Sequence, residues 1–192
     1  MEKLNLEYSK PTDDVEQWTN TKTGRVAKRR VKYPTYIIEQ VYNDEGAPHS
    51  FNDEPATIMT YYDGSRAYEW RCRGAQHREG GPASIGRNGE QYWLLHGNPH
   101  RENDLPTEIY PNGLEVWRNR YCMLFTTPSR SHVAMRNGVP GYLEEGRIAF
   151  TDGSVIRLNC RHEFHNESGE PAIVWADGTK EWYVEGYKCD YL

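Results

Sequence analysis

The sequence predicts an all-β protein: consecutive β-hairpin repeats of about 25 residues forming an elongated antiparallel meander or solenoid. Three observations predict it: a recurring phrase, a turn pair inside each copy, and arms that lengthen equally on both sides of that turn. The phrase is a His, a polar run, Pro-Ala or Pro-Thr, Asn-Gly or Asp-Gly, then Trp. Its copies are His49…Pro55-Ala56…Asp63-Gly64…Trp70, His77…Pro82-Ala83…Asn88-Gly89…Trp93, His100…Pro106-Thr107…Asn112-Gly113…Trp117 and His165…Pro171-Ala172…Asp177-Gly178…Trp182. Residues present in every copy of a repeat maintain the fold, so function is sought where the phrase is departed from.

A turn pair between β-favouring runs signals a hairpin. In the second, third and fourth copies the Ala or Thr lies six residues before the turn Gly and the Trp four after it; in the first copy the distances are eight and six. Equal two-residue additions keep cross-strand partners opposed and every side chain on its original face, which only a strand pair requires. A three-residue loop ending in Gly64, Gly89, Gly113 or Gly178 then sets Ala56 opposite Trp70, Ala83 opposite Trp93, Thr107 opposite Trp117 and Ala172 opposite Trp182. A small residue facing each indole lets the ring fold across its neighbour strand. These tryptophans and glycines are therefore assigned to the scaffold.

In chain order, residues 1–35 form an N-terminal non-repeat segment with a basic stretch, and 36–120 hold hairpin repeats. Residues 121–145 are a degenerate repeat or an insertion, and 146–192 hold the C-terminal hairpins. Tyr36-Ile-Ile-Glu-Gln-Val-Tyr42 reads as the leading strand. Asn137-Gly138 marks a poorer hairpin, and Asp152-Gly153 turns one that lacks the Pro-Ala and Trp marks. The His-to-Pro stretches are turn-rich connectors, with Pro at a strand start where no ladder donor is needed. About six hairpins are expected in all.

Composition agrees. Apolar residues make up 36% of the 192, with 14 Tyr and 6 Trp, against about 45–50% apolar in ordinary domains. That suits a thin sheet with aromatics on its face. The net charge of -5 argues against a nucleic-acid coat. There is no apolar run near the roughly 20 residues of a membrane helix, and Met1-Glu2-Lys3-Leu4-Asn5 does not read as a signal peptide. Cys72, Cys122, Cys160 and Cys189 form no CxxC pair and are read as free thiols in a reducing, cytoplasmic compartment.

His77-Arg78-Glu79-Gly80-Gly81-Pro82-Ala83 and His100-Arg101-Glu102-Asn103-Asp104-Leu105-Pro106 resemble a degenerate MORN-like hairpin repeat of giant-virus, bacteriophage and some bacterial proteins. The resemblance covers about residues 46–120 and 160–187, and the Gly-rich Tyr-x-Gly core of true MORN repeats is missing. It implies a β-meander used for binding and scaffolding, and no particular enzymatic activity.

The recurring histidines suggest a metal array, but zinc needs ligands that converge at about 2 Å on one point, whereas repeats distribute equivalent residues along a line. No metal or cofactor is expected; each imidazole is expected to tie its turn to backbone. His162 and His165, with Glu163 and Glu167, are the one local cluster. Cys122 with His132 is the weak case for catalysis, and the chain is not expected to be an enzyme. Binding is sought at Arg25, Lys28, Arg29 and Arg30, at Tyr61, Tyr62, Tyr92 and Tyr110, at Arg71 and Arg73, and at Tyr121, Met123 and Phe125, because Tyr, Trp and Arg dominate binding hot spots. The expected function is a non-enzymatic interaction protein of viral type. It would bind a host protein through residues 1–33 and 121–145, to inhibit or redirect it in the host cytoplasm. The alternative is a small-ligand or nucleotide-sequestering protein in which Arg71, Arg73, Arg78 and Arg101 meet aromatics on a sheet face. Nucleic acid is a poorer partner because Thr12-Asp13-Asp14-Val15-Glu16 adjoins the basic stretch, and exposed end strands would allow copies to pair through sheet edges.

Overall fold

A computed structural model describes residues 5–126, 131–166 and 169–189. Among them there is no helix, and so none long and apolar enough to cross a membrane. The chain divides into two compact units, one ending at Gly97 and the other starting at Asn98. The strands of each unit form an antiparallel meander of consecutive hairpins.

In the first unit the strands are β1 (Leu6–Thr12), β2 (Val15–Asn20), β3 (Val26–Lys32), β4 (Tyr36–Val41), β5 (Thr57–Tyr61), β6 (Arg66–Glu69), β7 (Arg71–Cys72), β8 (Ala75–Gln76), β9 (Ser84–Ile85), β10 (Gln91–Tyr92) and β11 (Leu94–Leu95). β1 to β6 pair in sequence, β6 then pairs with β9, and β9 with β10. β7 and β8 form a separate two-stranded ladder. The second unit opens with β12 (Asn98–Pro99) and continues through β13 (Glu108–Ile109), β14 (Leu114–Val116), β15 (Ala134–Arg136), β16 (Val139–Glu144), β17 (Arg147–Phe150), β18 (Val155–Arg157), β19 (Ile173–Val174), β20 (Lys180–Val184) and β21 (Tyr187–Cys189). From β13 onward each strand pairs with the next.

The register agrees with the arm lengths. Thr57 faces Glu69, Ser84 faces Tyr92, Glu108 faces Val116 and Ile173 faces Glu181, so one residue further on each small side chain meets its Trp. Ala56, Ala83, Thr107 and Ala172 are all buried, as are Trp70 and Trp117. Each loop has three residues: Gly64 donates to Tyr61 O, Gly89 to Gly86 O, Gly113 to Tyr110 O and Gly178 to Trp175 O. The glycines sit at φ of 82 to 91°, a region where an L side chain costs about 1–2 kcal/mol.

Two expectations need correction. Tyr36–Val41 does not lead the sheet; it is the fourth strand, and residues 1–33 supply three more. Those strands show little apolar alternation because neither of their faces is deeply buried, so the period-2 signal is weak. Six hairpins is also too few. Further two-residue turns occur at Arg73-Gly74, His96-Gly97, Glu145-Gly146 and Glu185-Gly186, with both central residues at positive φ, as type I′ turns require. Arg-Gly, His-Gly and Glu-Gly are poor sequence signals for that geometry.

The side turns explain the recurring histidine in three of its four copies. His49 Nδ1 accepts from Arg73 N at 3.2 Å, His77 Nδ1 from His96 N at 3.4 Å and His165 Nδ1 from Glu185 N at 3.0 Å. The glycine after each donor binds the carbonyl just before the histidine: Gly74 to Pro48, Gly97 to Gln76, Gly186 to Phe164. Each imidazole thus clamps the following side turn, and a net hydrogen bond of this kind contributes about 0.5–1.5 kcal/mol. The tryptophans do similar work on the connectors: Trp70, Trp117 and Trp182 Nε1 donate to the carbonyls of Asp53, Asp104 and Gly169 at 2.8, 2.9 and 3.1 Å. Each acceptor lies two residues before the connector proline.

Candidate functional site

The hairpin ends of the first unit gather exposed tyrosines. β3 and β4 are joined by Pro34-Thr35, closed by Tyr33 N donating to Tyr36 O at 2.8 Å. β4 and β5 pair with Tyr36 opposite Tyr61, which brings the β3–β4 and β5–β6 turns side by side. Tyr33 and Tyr36 stack at 4.9 Å, Tyr36 and Tyr61 lie 5.6 Å apart, and Tyr62 Oη donates to Tyr33 O at 3.1 Å. The next hairpin is shorter by two residues on each arm, and Arg87 reaches from it across the step. Its guanidinium lies 4.4 Å from the centre of the Tyr61 ring, its Nε donates to Ser65 Oγ at 3.0 Å, and it pairs with the Asp63 carboxylate.

Asp63 is fixed by this arrangement. Hydrogen bonds from the Ser65 hydroxyl and backbone N–H, then from Arg87, hold its carboxyl down at about 2. Tyr62 is nevertheless 62% exposed and Tyr33 43%. The result is a rigid platform of ring faces and phenolic hydroxyls with one guanidinium, open to solvent. Arg87 was not among the residues expected from sequence. Its only mark is the place before Asn88-Gly89 in a hairpin beside a longer one.

The other predicted residues are dispersed. Strand alternation puts Lys28 and Arg30 on one face of β3 and Arg29 on the other. Arg30 lies 3.4 Å from Glu16 and 3.7 Å from Glu39, while Lys28 lies 3.8 Å from Glu39 and 5.4 Å above the Trp18 ring. Lys28 and Arg30 are thereby paired with carboxylates of β2 and β4. Arg25 sits in the β2–β3 loop and donates to Asp44 O. Arg71 holds Glu69 at 2.8 Å and Gly74 O at 2.6 Å. Arg78 stacks on Trp70 at 3.9 Å and grips both oxygens of Asp53, and Arg101 donates to Pro106 O. Those arginines brace connectors and side turns; Arg73 is exposed.

In the second unit Tyr121 is 68% exposed beneath Arg120, Met123 is exposed and Phe125 is half-buried. Cys122 is exposed at a positive φ, whereas His132 is buried edge-on against Trp117 at 5.2 Å. That places the histidine in packing against the Trp117 indole. Glu167 of the His162–His165 cluster lies outside the described residues; among those described, no three His, Cys, Asp or Glu side chains come together as a metal site. No family model matches the chain, and no curated protein matches it significantly.

Proposed function

We propose that this protein is a non-enzymatic scaffold that binds another protein through the tyrosine platform of its first unit. The observation that carries this reading is the cluster of Tyr33, Tyr36, Tyr61 and Tyr62 with Arg87, held in place by internal hydrogen bonds yet facing water. Rigid aromatic side chains offer large contact area at little entropic cost, and Tyr with Arg supplies most hot-spot energy in interfaces. A viral protein that inhibits or redirects a host protein is the wider form of this proposal, and it rests on the repeat resemblance. Tyr121 and Met123 supply a second, smaller exposed surface, within the stretch where the phrase breaks down.

The test compares tagged wild type with Tyr33→Ala/Tyr62→Ala and with Tyr121→Ala/Met123→Ala in affinity capture from a producing host, read by mass spectrometry. Both pairs are exposed, so the melting temperature should hold. A partner kept by wild type and lost by the first variant alone is the expected result. If the first variant retains every partner of the wild type, the tyrosine platform is not the binding surface.

A further inference from the structure

The first unit contains a cleft of about 430 Å³, within the roughly 300–1,000 Å³ of small-molecule sites. Leu6 of β1, Val26 of β3, Val41 of β4 and Phe51 of the first connector line it, together with Arg25 and Lys28. Leu6 is 43% exposed and Phe51 47%. Exposed apolar side chains gathered around a concavity form the kind of patch that ligands cover.

Phe51 is also where the repeat changes. The other connectors carry Glu79, Glu102 and Glu167 two residues after their histidine, and only this copy carries an aromatic there. The histidine clamp does not need the change, because His77 makes the same bond in a copy that has Glu79. The charge of the lining is specific too. Arg25 spends its hydrogen bond on the neutral carbonyl of Asp44, so that bond leaves the guanidinium charge uncompensated. Lys28 adds a second cation, shared with Glu39 at 3.8 Å. The Asp44 carboxylate is the one acidic group of the lining, against Arg25 and a Lys28 that Glu39, outside the lining, already neighbours.

We propose that this cleft binds an amphipathic organic anion, with an apolar chain or ring between Leu6 and Phe51 and its acid group at Arg25 and Lys28. Ligand and site differ from those of the tyrosine platform, so neither proposal depends on the other. Isothermal titration of the full chain with decanoate is the test, with decyltrimethylammonium as the probe of equal tail and opposite charge. Decanoate should bind saturably at one site per chain and the cation should not. Phe51→Glu installs the residue of the other copies, and Arg25→Gln removes the charge. Each lies on the surface and should weaken decanoate by roughly tenfold or more, about 1.4 kcal/mol, with an unchanged melting temperature. Absent decanoate binding, equal binding by Phe51→Glu, or equal binding of the cationic probe would each overturn the proposal.

Discussion

Glu181 is a buried carboxylate, 6% exposed, and donors reach it from several sides. Trp175 Nε1 lies 2.7 Å from Oε1, where Asn112 Nδ2 also donates; Lys188 Nζ at 2.9 Å and Tyr183 Oη at 3.3 Å meet Oε2. Burial alone pushes a carboxyl upward, but here the bonds from Lys188, Trp175 and Asn112 outweigh it and the group lies below its ordinary 4.5. A carboxyl lowered by folding stabilises the protein above its unfolded value, and that stabilisation is lost as pH falls through the folded value. Wild type should therefore exceed Glu181→Gln in urea midpoint near neutral pH, and the gap should narrow below about pH 4.5. A gap that does not change with pH would mean that the charge contributes nothing. None of this was legible in the sequence, where Glu181 is one of 28 acidic residues. The partners that make it special come from positions 112, 175 and 188, and no spacing rule links them.

At the scale of the hairpin, the degenerate stretch keeps the volume rule that the Pro-Ala and Trp marks express elsewhere. Gly141 of β16 faces Phe150 of β17, a small residue again opposite an aromatic. Gly141 does not have a positive φ, so space is the reason for it: a Cβ there would come 2.7 Å from Ile148 Cγ2 and 2.8 Å from Phe150 Cε1. Both neighbours belong to the core, which yields little. Gly141→Ala should destabilise by about 1–3 kcal/mol in chemical denaturation. Gly80→Ala, where a Cβ meets nothing within 4 Å, should stay close to wild type; equal midpoints for the two would refute the packing argument. The hairpins around Gly64, Gly89, Gly113 and Gly178 were legible because paired insertions of two residues leave a numerical trace. The side turns were not, since only backbone angles distinguish Arg73-Gly74 from any other exposed pair. The tyrosine platform was half legible: Tyr61 and Tyr62 stand out by type, but Tyr33 and Arg87 join them only through strand pairing.

At the scale of the whole molecule, burial is unequal between the two units. The core cluster of Leu114, Val116, Ile148, Phe150, Ile156, Ile173 and Trp175 lies entirely in the second unit. The buried apolar residues of the first are Ala56, Ala67, Trp70 and Ala83. A fully buried Leu- or Phe-sized side chain contributes about 1.5–3 kcal/mol and an alanine far less, so strands β1 to β4 rest mainly on backbone pairing and on their charge and aromatic ladders. Local opening costs least where few apolar contacts hold a segment, and binding surfaces tend to come from such segments. Hydrogen exchange followed by mass spectrometry should find Leu114–Val116, Arg147–Phe150 and Val155–Arg157 protected longest, and Leu6–Thr12 and Val15–Asn20 exchanging first. If protection proves equal along the chain, the first unit draws stability from outside its own side chains. The same measurement repeated over a range of protein concentrations then decides whether a second copy supplies it, because protection gained by association rises with concentration and protection within one chain does not.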